Sequence, residues 1–259
     1  MPELPDLQIF RKNLAKKLVG KKLHKITIRN QRKLKVSPAK LKKAVEGEKL
    51  TAIERIGKEL HFCFSNDQVL GLHLMLRGDL HFFDEKNTAK FTIVELLFDG
   101  DVGLAMTDYQ GQATPTLNPE ARDAPDALSS ALNLKYLKKL LSDSKAVVKN
   151  VLLDQHAIRG IGNAYADEIL WHAKISPFSI SNKIPTNAVS QLLKSIKSVL
   201  KKAEQSIVKT HPDIISGEVR DFMLVHHAKK ERSPGGSAIQ VKKNGSRKTY
   251  YTDEQVLYS

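Results

Sequence analysis

Cysteine occurs once in the 259 residues, at Cys63, and tryptophan also occurs once. A disulfide within the chain is therefore excluded. So is a zinc site built on four cysteines, or on two cysteines and two histidines. A reducing, cytoplasmic location fits this usage. Long apolar runs are missing too. No stretch approaches the about eighteen apolar residues that a membrane-spanning helix needs, so no membrane partner is expected. The N-terminus, MPELPDLQIF, lacks the basic-then-apolar pattern of a secretory signal, and none is expected. Acidic residues are scarce beside basic ones, 28 against 42, which leaves a net charge of +14 at pH 7.

That excess is uneven. Residues 1–50 hold 15 basic and 4 acidic residues, and residues 223–259 hold 7 and 3. The stretch between them is close to neutral. Charge concentrated at both ends reads as a binding surface, and nucleic acid is the expected partner, because Lys and Arg on phosphate release counterions. Apolar residues at 41% and charged residues at 27% are ordinary for a globular protein. The length suits one large or two small domains.

The apolar spacing gives the elements. Leu7, Phe10, Leu14 and Leu18 share one face of a helix expected from Asp6 to Leu18, with Gly20 as its stop. Residues 21–112 read as strands: Ile26 and Ile28, Leu60, Phe62 and Phe64, and Leu70 to Leu76 alternate, and FTIVELLF at 91–98 is a buried run. Asp99-Gly100 reads as a hairpin turn. The unit is an all-β, two-layer sandwich. Cys63 lies on the opposite strand face from Phe62 and Phe64 and is given no role. Residues 113–128 read as a linker. Helices are then expected over 132–140, 146–153, 164–172 and 186–208, with a short one around 219–225. Ser-Pro-Gly-Gly at 233–236 breaks the chain. A hairpin follows, strands 238–243 and 246–251 joined by Asn244-Gly245, a pair suited to a type I′ turn.

Three constellations carry chemistry. Once Met1 is removed, the Pro2 nitrogen is a secondary amine, able to attack an electrophilic sugar carbon and form an iminium. Glu3 beside it can act as acid and base. Arg159-Gly160-Ile161-Gly162-Asn163 precedes the helix at 164, where glycines admit a phosphate to the backbone and a helix start favours an anion. Arg247 sits past the Asn-Gly turn, suited to gripping phosphate. Each constellation taken singly also has a plain structural reading: a stiffened chain start, a tight turn, an exposed arginine.

The order of these pieces resembles one family. PELPD at the N-terminus, RIGKELHF, HLMLRG at 73–78, RGIGNAYADEILW at 159–171 and RKTYY near the C-terminus are similar to the formamidopyrimidine-DNA glycosylase / endonuclease VIII family, along essentially the whole chain. Leu4 looks like the formamidopyrimidine branch. The resemblance implies an α+β fold of two lobes: a catalytic β-sandwich with an initial helix over 1–115, a linker over 116–128, a helix–two-turn–helix domain over 129–230 and a finger hairpin over 231–259. It implies a monomeric glycosylase and abasic-site lyase of base excision repair, cytoplasmic or nucleoid-associated, without a cofactor, acting on oxidised bases in double-stranded DNA. By the same resemblance Pro2 is the nucleophile and Glu3 the proton-transfer group. Lys58 contacts phosphate near the lesion, Asn163 and the turn of Arg159, Gly160 and Gly162 clamp phosphate, and Arg247 holds phosphates around the flipped nucleotide.

Four departures from the family pattern stand out. The two Cys-x-x-Cys pairs of the usual finger are absent, so the hairpin is a zincless one, with no metal and with Tyr250 and Tyr251 as packing candidates. PELPE becomes PELPD, which leaves Asp6 as a candidate catalytic group of altered reach. Of three family residues that fill the hole left by the flipped base, one falls on Leu76, with Met75 adjacent. The other two, an arginine and a phenylalanine, have no match in TDYQGQA at 107–113, where Tyr109 and Gln110 are the candidates. The segment between Phe222 and the hairpin is short, so a broad lesion preference is expected. These departures keep a second reading in view, a catalytically silent damaged-DNA-binding protein of the same fold; retention of Pro2 and Glu3 weighs against it.

Overall fold

A computed structural model describes residues 1–121, 123–244 and 247–259. The chain packs as two units, residues 1–121 with 207–218 and residues 122–206 with 219–259.

The first unit begins with α1 (Leu4–Leu18), whose residues Leu7, Phe10, Leu14 and Leu18 are all buried. The helix starts two residues before the expected Asp6, because Glu3 takes the N-cap and Pro5 fits the first turn. Eight strands follow: β1 (Leu23–Ile28), β2 (Leu50–Ile56), β3 (Glu59–Phe64), β4 (Val69–His73), β5 (Asp79–Asp84), β6 (Thr92–Phe98), β7 (Val102–Thr107) and β8 (Thr114–Leu117). They form two antiparallel sheets of four, in the orders β1-β6-β7-β5 and β2-β3-β4-β8. Their inward side chains and the α1 stripe build one core, including Ile26, Ile53, Phe62, Leu72, Leu96 and Phe98. Phe62 and Phe64 face it and Cys63 does not. Burial and the nearby Glu54 charge push the Cys63 thiol up, so it is a poor nucleophile.

Two elements depart from the sequence expectation here. Within the stretch read as strands lies α2 (Pro38–Val45). Ser37 caps it, accepting the Lys40 N–H at 3.2 Å, and Leu41 and Val45 bury one face four residues apart. Within the stretch read as a linker lies β8, an edge strand paired through Leu72↔Pro115 and Leu70↔Leu117. An edge tolerates the missing N–H of Pro115.

The second unit is helical: α3 (Leu134–Ser142), α4 (Val148–Leu153), α5 (Asn163–His172) and α6 (Thr186–Thr210), whose last turn enters the first unit. The hairpin is β9 (Gln240–Asn244) and β10 (Arg247–Tyr251). The expected Asn244-Gly245 turn lies partly outside the described residues. No helix forms at 219–225. The reason is Glu168 on α5: its carboxylate accepts the N–H groups of Leu224, Val225 and His226, the last two at 2.7 Å each, so these amides are not available to a helix.

A buried ionic cluster fastens the hairpin to the helices. Lys149 on α4 pairs with Asp167 on α5 at 2.6 Å and donates to Thr249 Oγ1 at 2.8 Å. The other Asp167 oxygen meets His226 Nδ1 at 2.7 Å and accepts the Tyr250 N–H at 3.0 Å. Tyr250 stacks at a tilt on His226, and Tyr251 meets Phe178 edge-on, so both tyrosines pack as expected.

Candidate active site and nucleic-acid interface

In the first unit Pro2, Glu3 and Asp6 lie together at the head of α1. Pro2 is buried, Glu3 is 4% exposed and Asp6 is fully buried. The Glu3 N–H donates to Asp6 Oδ2 at 2.9 Å in a capping box, which satisfies an end amide and sets the backbone of Glu3. Asp6 is therefore inside the protein, supporting Glu3 rather than facing solvent. The Met1 ammonium pairs with Glu218. With Met1 attached, the Pro2 nitrogen is a tertiary amide; with Met1 removed, it is the terminal secondary amine. The segment around Glu218 is held to this unit. Asn13 Nδ2 donates to the carbonyls of Pro212 and Ile214, both at 2.8 Å, and Ser216 Oγ accepts the Leu80 N–H at 2.9 Å and donates to Asp79.

Lys58 lies half-buried on the β2–β3 turn, after Gly57 at φ +61°. Arg55 fixes that turn, donating to Gly57 O at 3.0 Å and to Gln8 Oε1 on α1 at 3.0 Å. The helix head and the lysine turn are thus one braced assembly. Sequence reading missed Arg55 and Gln8, since nothing local marks a pair 47 residues apart.

Met75 and Leu76 lie on the turn before β5 and are exposed. Gly78 closes that turn: its N–H donates to Leu74 O at 2.7 Å, and a Cβ would sit 2.2 Å from that oxygen. His73 Nδ1 accepts the Met75 N–H at 2.9 Å. Tyr109 is 58% exposed on the loop after β7. Asp108, buried, organises the loop by accepting the N–H groups of Gln110, Gln112 and Ala113 within 2.9 Å. Asp108 was another residue that sequence reading passed over.

In the second unit the glycine turn leads into α5. Gly160, at φ +102°, donates its N–H to Gln155 Oε1 at 2.9 Å. Gly162 is the N-cap and Asn163 the first helical residue, and no acid occupies the first turn. Such a helix start favours an anion. Arg159 is half-buried, its backbone bonded to Pro125 and Ala127. Asn163 Nδ2 donates to Lys248 O at 3.0 Å, which joins the helix start to the strand carrying exposed Arg247. Asn163, the glycine turn and Arg247 therefore belong to one structure. Among the described residues no group of three His, Cys, Asp or Glu side chains is placed to hold a metal ion, and no helix is long and apolar enough to cross a membrane.

The family model for the formamidopyrimidine-DNA glycosylase N-terminal domain matches residues 1–114, and that for the formamidopyrimidine-DNA glycosylase H2TH domain matches residues 124–211. The chain is 30% identical to a formamidopyrimidine-DNA glycosylase of Lactobacillus gasseri, over 100% of both chains. Its fold is similar to that of Lactococcus lactis Fpg solved with DNA containing an abasic site, with a TM-score of 0.87 and 26% identity over 98% of this chain and 99% of that one. It is similar also to MutM solved with DNA containing carbocyclic 8-oxo-G, with a TM-score of 0.88 and 27% identity over the same shares.

Proposed function

Because the chain belongs to the formamidopyrimidine-DNA glycosylase family, we propose that it removes oxidised bases of the formamidopyrimidine and 8-oxoguanine type from double-stranded DNA and cleaves the resulting abasic site. The observation that carries this reading is the head of α1, where Pro2 and Glu3 sit side by side on a helix start fixed from beneath by Asp6.

In this reading the Pro2 amine attacks C1′ of the damaged nucleotide as the bond from C1′ to the base breaks and the departing base takes up a proton. Glu3 supplies and accepts protons during base loss and opening of the sugar ring. The iminium that results acidifies the C2′ protons, and successive β and δ elimination releases the strand on both sides. Lys58 holds phosphate near the lesion. Arg159, Gly160, Gly162 and Asn163 clamp the backbone, and Arg247 grips phosphates around the nucleotide, which must leave the stack before its sugar can be reached. Met75, Leu76 and Tyr109 face the duplex at the opened step. The lone thiol fits a cytoplasmic, nucleoid-associated protein, and the braced site needs no second copy. The silent-binding alternative leaves the Pro2 amine without a use.

Glu3→Gln tests the assignment. It keeps the size and an acceptor but not the acid. Base release from a duplex with a single 8-oxoguanine is expected to fall by about a hundredfold or more, the usual worth of a general acid–base. Cleavage of a preformed abasic site is expected to persist. Equal activity on the intact lesion removes Glu3 from the chemistry.

A further inference from the structure

Residues 252–258, past the end of β10, make a second set of contacts within the helical unit. The Thr252 N–H donates to Gln255 Oε1 at 2.9 Å, and Gln255 Nε2 donates to Ile175 O at 2.8 Å. Gln255 is 8% exposed and Thr252 is buried. The residues that follow run alongside the segment after α5. The Val256 N–H donates to Lys174 O at 2.9 Å, the Ser176 N–H to Val256 O at 2.8 Å and the Ile180 N–H to Tyr258 O at 2.7 Å. Glu254 pairs with Lys174 and accepts the Ser233 hydroxyl. Gly235 leaves room for that carboxylate, since a Cβ there would sit 2.5 Å from Glu254 Oε1. Lys174 adopts φ +58°, a costly value for a residue with a side chain, and both its carbonyl and its ammonium are engaged.

These bonds complete a seam that ties β10 along the length of α5. At the α5 start, Asn163 Nδ2 holds Lys248 O, next to Arg247. At its middle, Asp167 accepts the Tyr250 N–H. Past its end, Tyr251 meets Phe178 edge-on, and residues 252–258 bond to residues 174–180. A two-stranded hairpin is marginal by itself. Exposed Arg247 lies at the far end of β10 from Tyr251, a span of about 13 Å at the rise of a strand. A tilt of about 10° at the base moves such a tip by about 2 Å, and positioned groups tolerate a shift of about 1 Å poorly. Near the tip the hold is the Asn163 bond, from a residue also assigned to phosphate.

We propose that residues 252–258 are a strap that aligns Arg247 with the phosphate clamp at the α5 start, and that Glu254 and Gln255 are its positioning residues. The proposal rests on the glycosylase reading above. Both side chains act through the hairpin rather than on DNA. Because the strap bonds to the segment that continues α5, the two phosphate-gripping elements become one piece, and their spacing is set before DNA arrives. Such preorganisation lowers the cost of binding. Without the strap, Arg247 would have to find its phosphate from a hairpin free to tilt about the buried Lys149–Asp167 pair.

The test is a double-mutant cycle on affinity for a duplex with one stable abasic-site analogue, using Gln255→Ala, Arg247→Ala and the two combined. Arg247→Ala is expected to weaken binding about tenfold, the scale of one charge-assisted hydrogen bond. Gln255→Ala is expected to weaken it about fivefold with Arg247 present and less than about twofold with Arg247 replaced, and to lower the salt slope by about one. Separate sites without such a link add. Equal losses in both backgrounds, or no loss in either, overturn the strap. Glu254→Ala, which removes a less buried contact, repeats the cycle and decides it if Gln255→Ala fails to fold in a thermal melt. Wild type that binds the abasic and intact duplexes equally removes the glycosylase reading, and the strap's role with it.

Discussion

Asp6 shows how one shortened side chain is accommodated. Its carboxylate reaches the Glu3 N–H at 2.9 Å, so the acid serves as a cap and orients its neighbour from a fully buried position. Asp6→Ala is expected to cost about 1 kcal/mol of stability, the usual worth of a lost cap, and to slow single-turnover base release while DNA affinity holds. A urea melt and a gel assay with excess enzyme check the two parts. Asp6→Glu should keep both. At this scale the candidate pair, a secondary amine at the chain start and an adjacent acid, was legible in the sequence only through the order of the motifs around it, since a proline at position 2 taken singly also reads as a stiffened chain start. The supporting residues were not legible. Arg55, Asp108 and Glu168 act on backbone or side-chain partners that only folding brings near, Glu168 across 56 to 58 residues.

Among the elements, the hairpin raises the clearest physical question, since a finger without cysteines must be held some other way. The Lys149–Asp167 pair, with His226, Thr249 and the Tyr250 amide around it, supplies the hold. Lys149→Met leaves the Asp167 charge buried with fewer partners and is expected to destabilise the protein by about 3 kcal/mol. Thermal melts measure this, and a chelator added to the wild-type melt should leave its midpoint unchanged. A midpoint that drops with chelator contradicts a metal-free hairpin. Periodicity located α1, α3, α4, α5, α6 and most strands. It missed α2, whose Ser37-Pro38 start lay in a lysine-rich stretch, and it placed a helix at 219–225 because the sequence does not reveal that Glu168 takes those amides.

For the whole molecule, the charge pattern was the earliest guide: two basic ends and a neutral middle already pointed to a phosphate partner. The division into a strand-rich unit and a helical unit was also legible from the change of apolar period. The return of residues 207–218 to the first unit was not, since it depends on Asn13, Leu80 and Asp79 receiving that segment. That return also sets Glu218 beside the chain terminus, where only a processed end exposes the Pro2 amine. The most direct test of the account is borohydride trapping on a duplex with one abasic site, using protein whose N-terminus is verified by mass spectrometry to be Pro2. The account predicts a covalent adduct that maps to Pro2 and is lost in Pro2→Gly while the variant still binds the duplex. Processed protein that binds the duplex and forms no adduct, or an adduct that maps to a lysine instead, contradicts it.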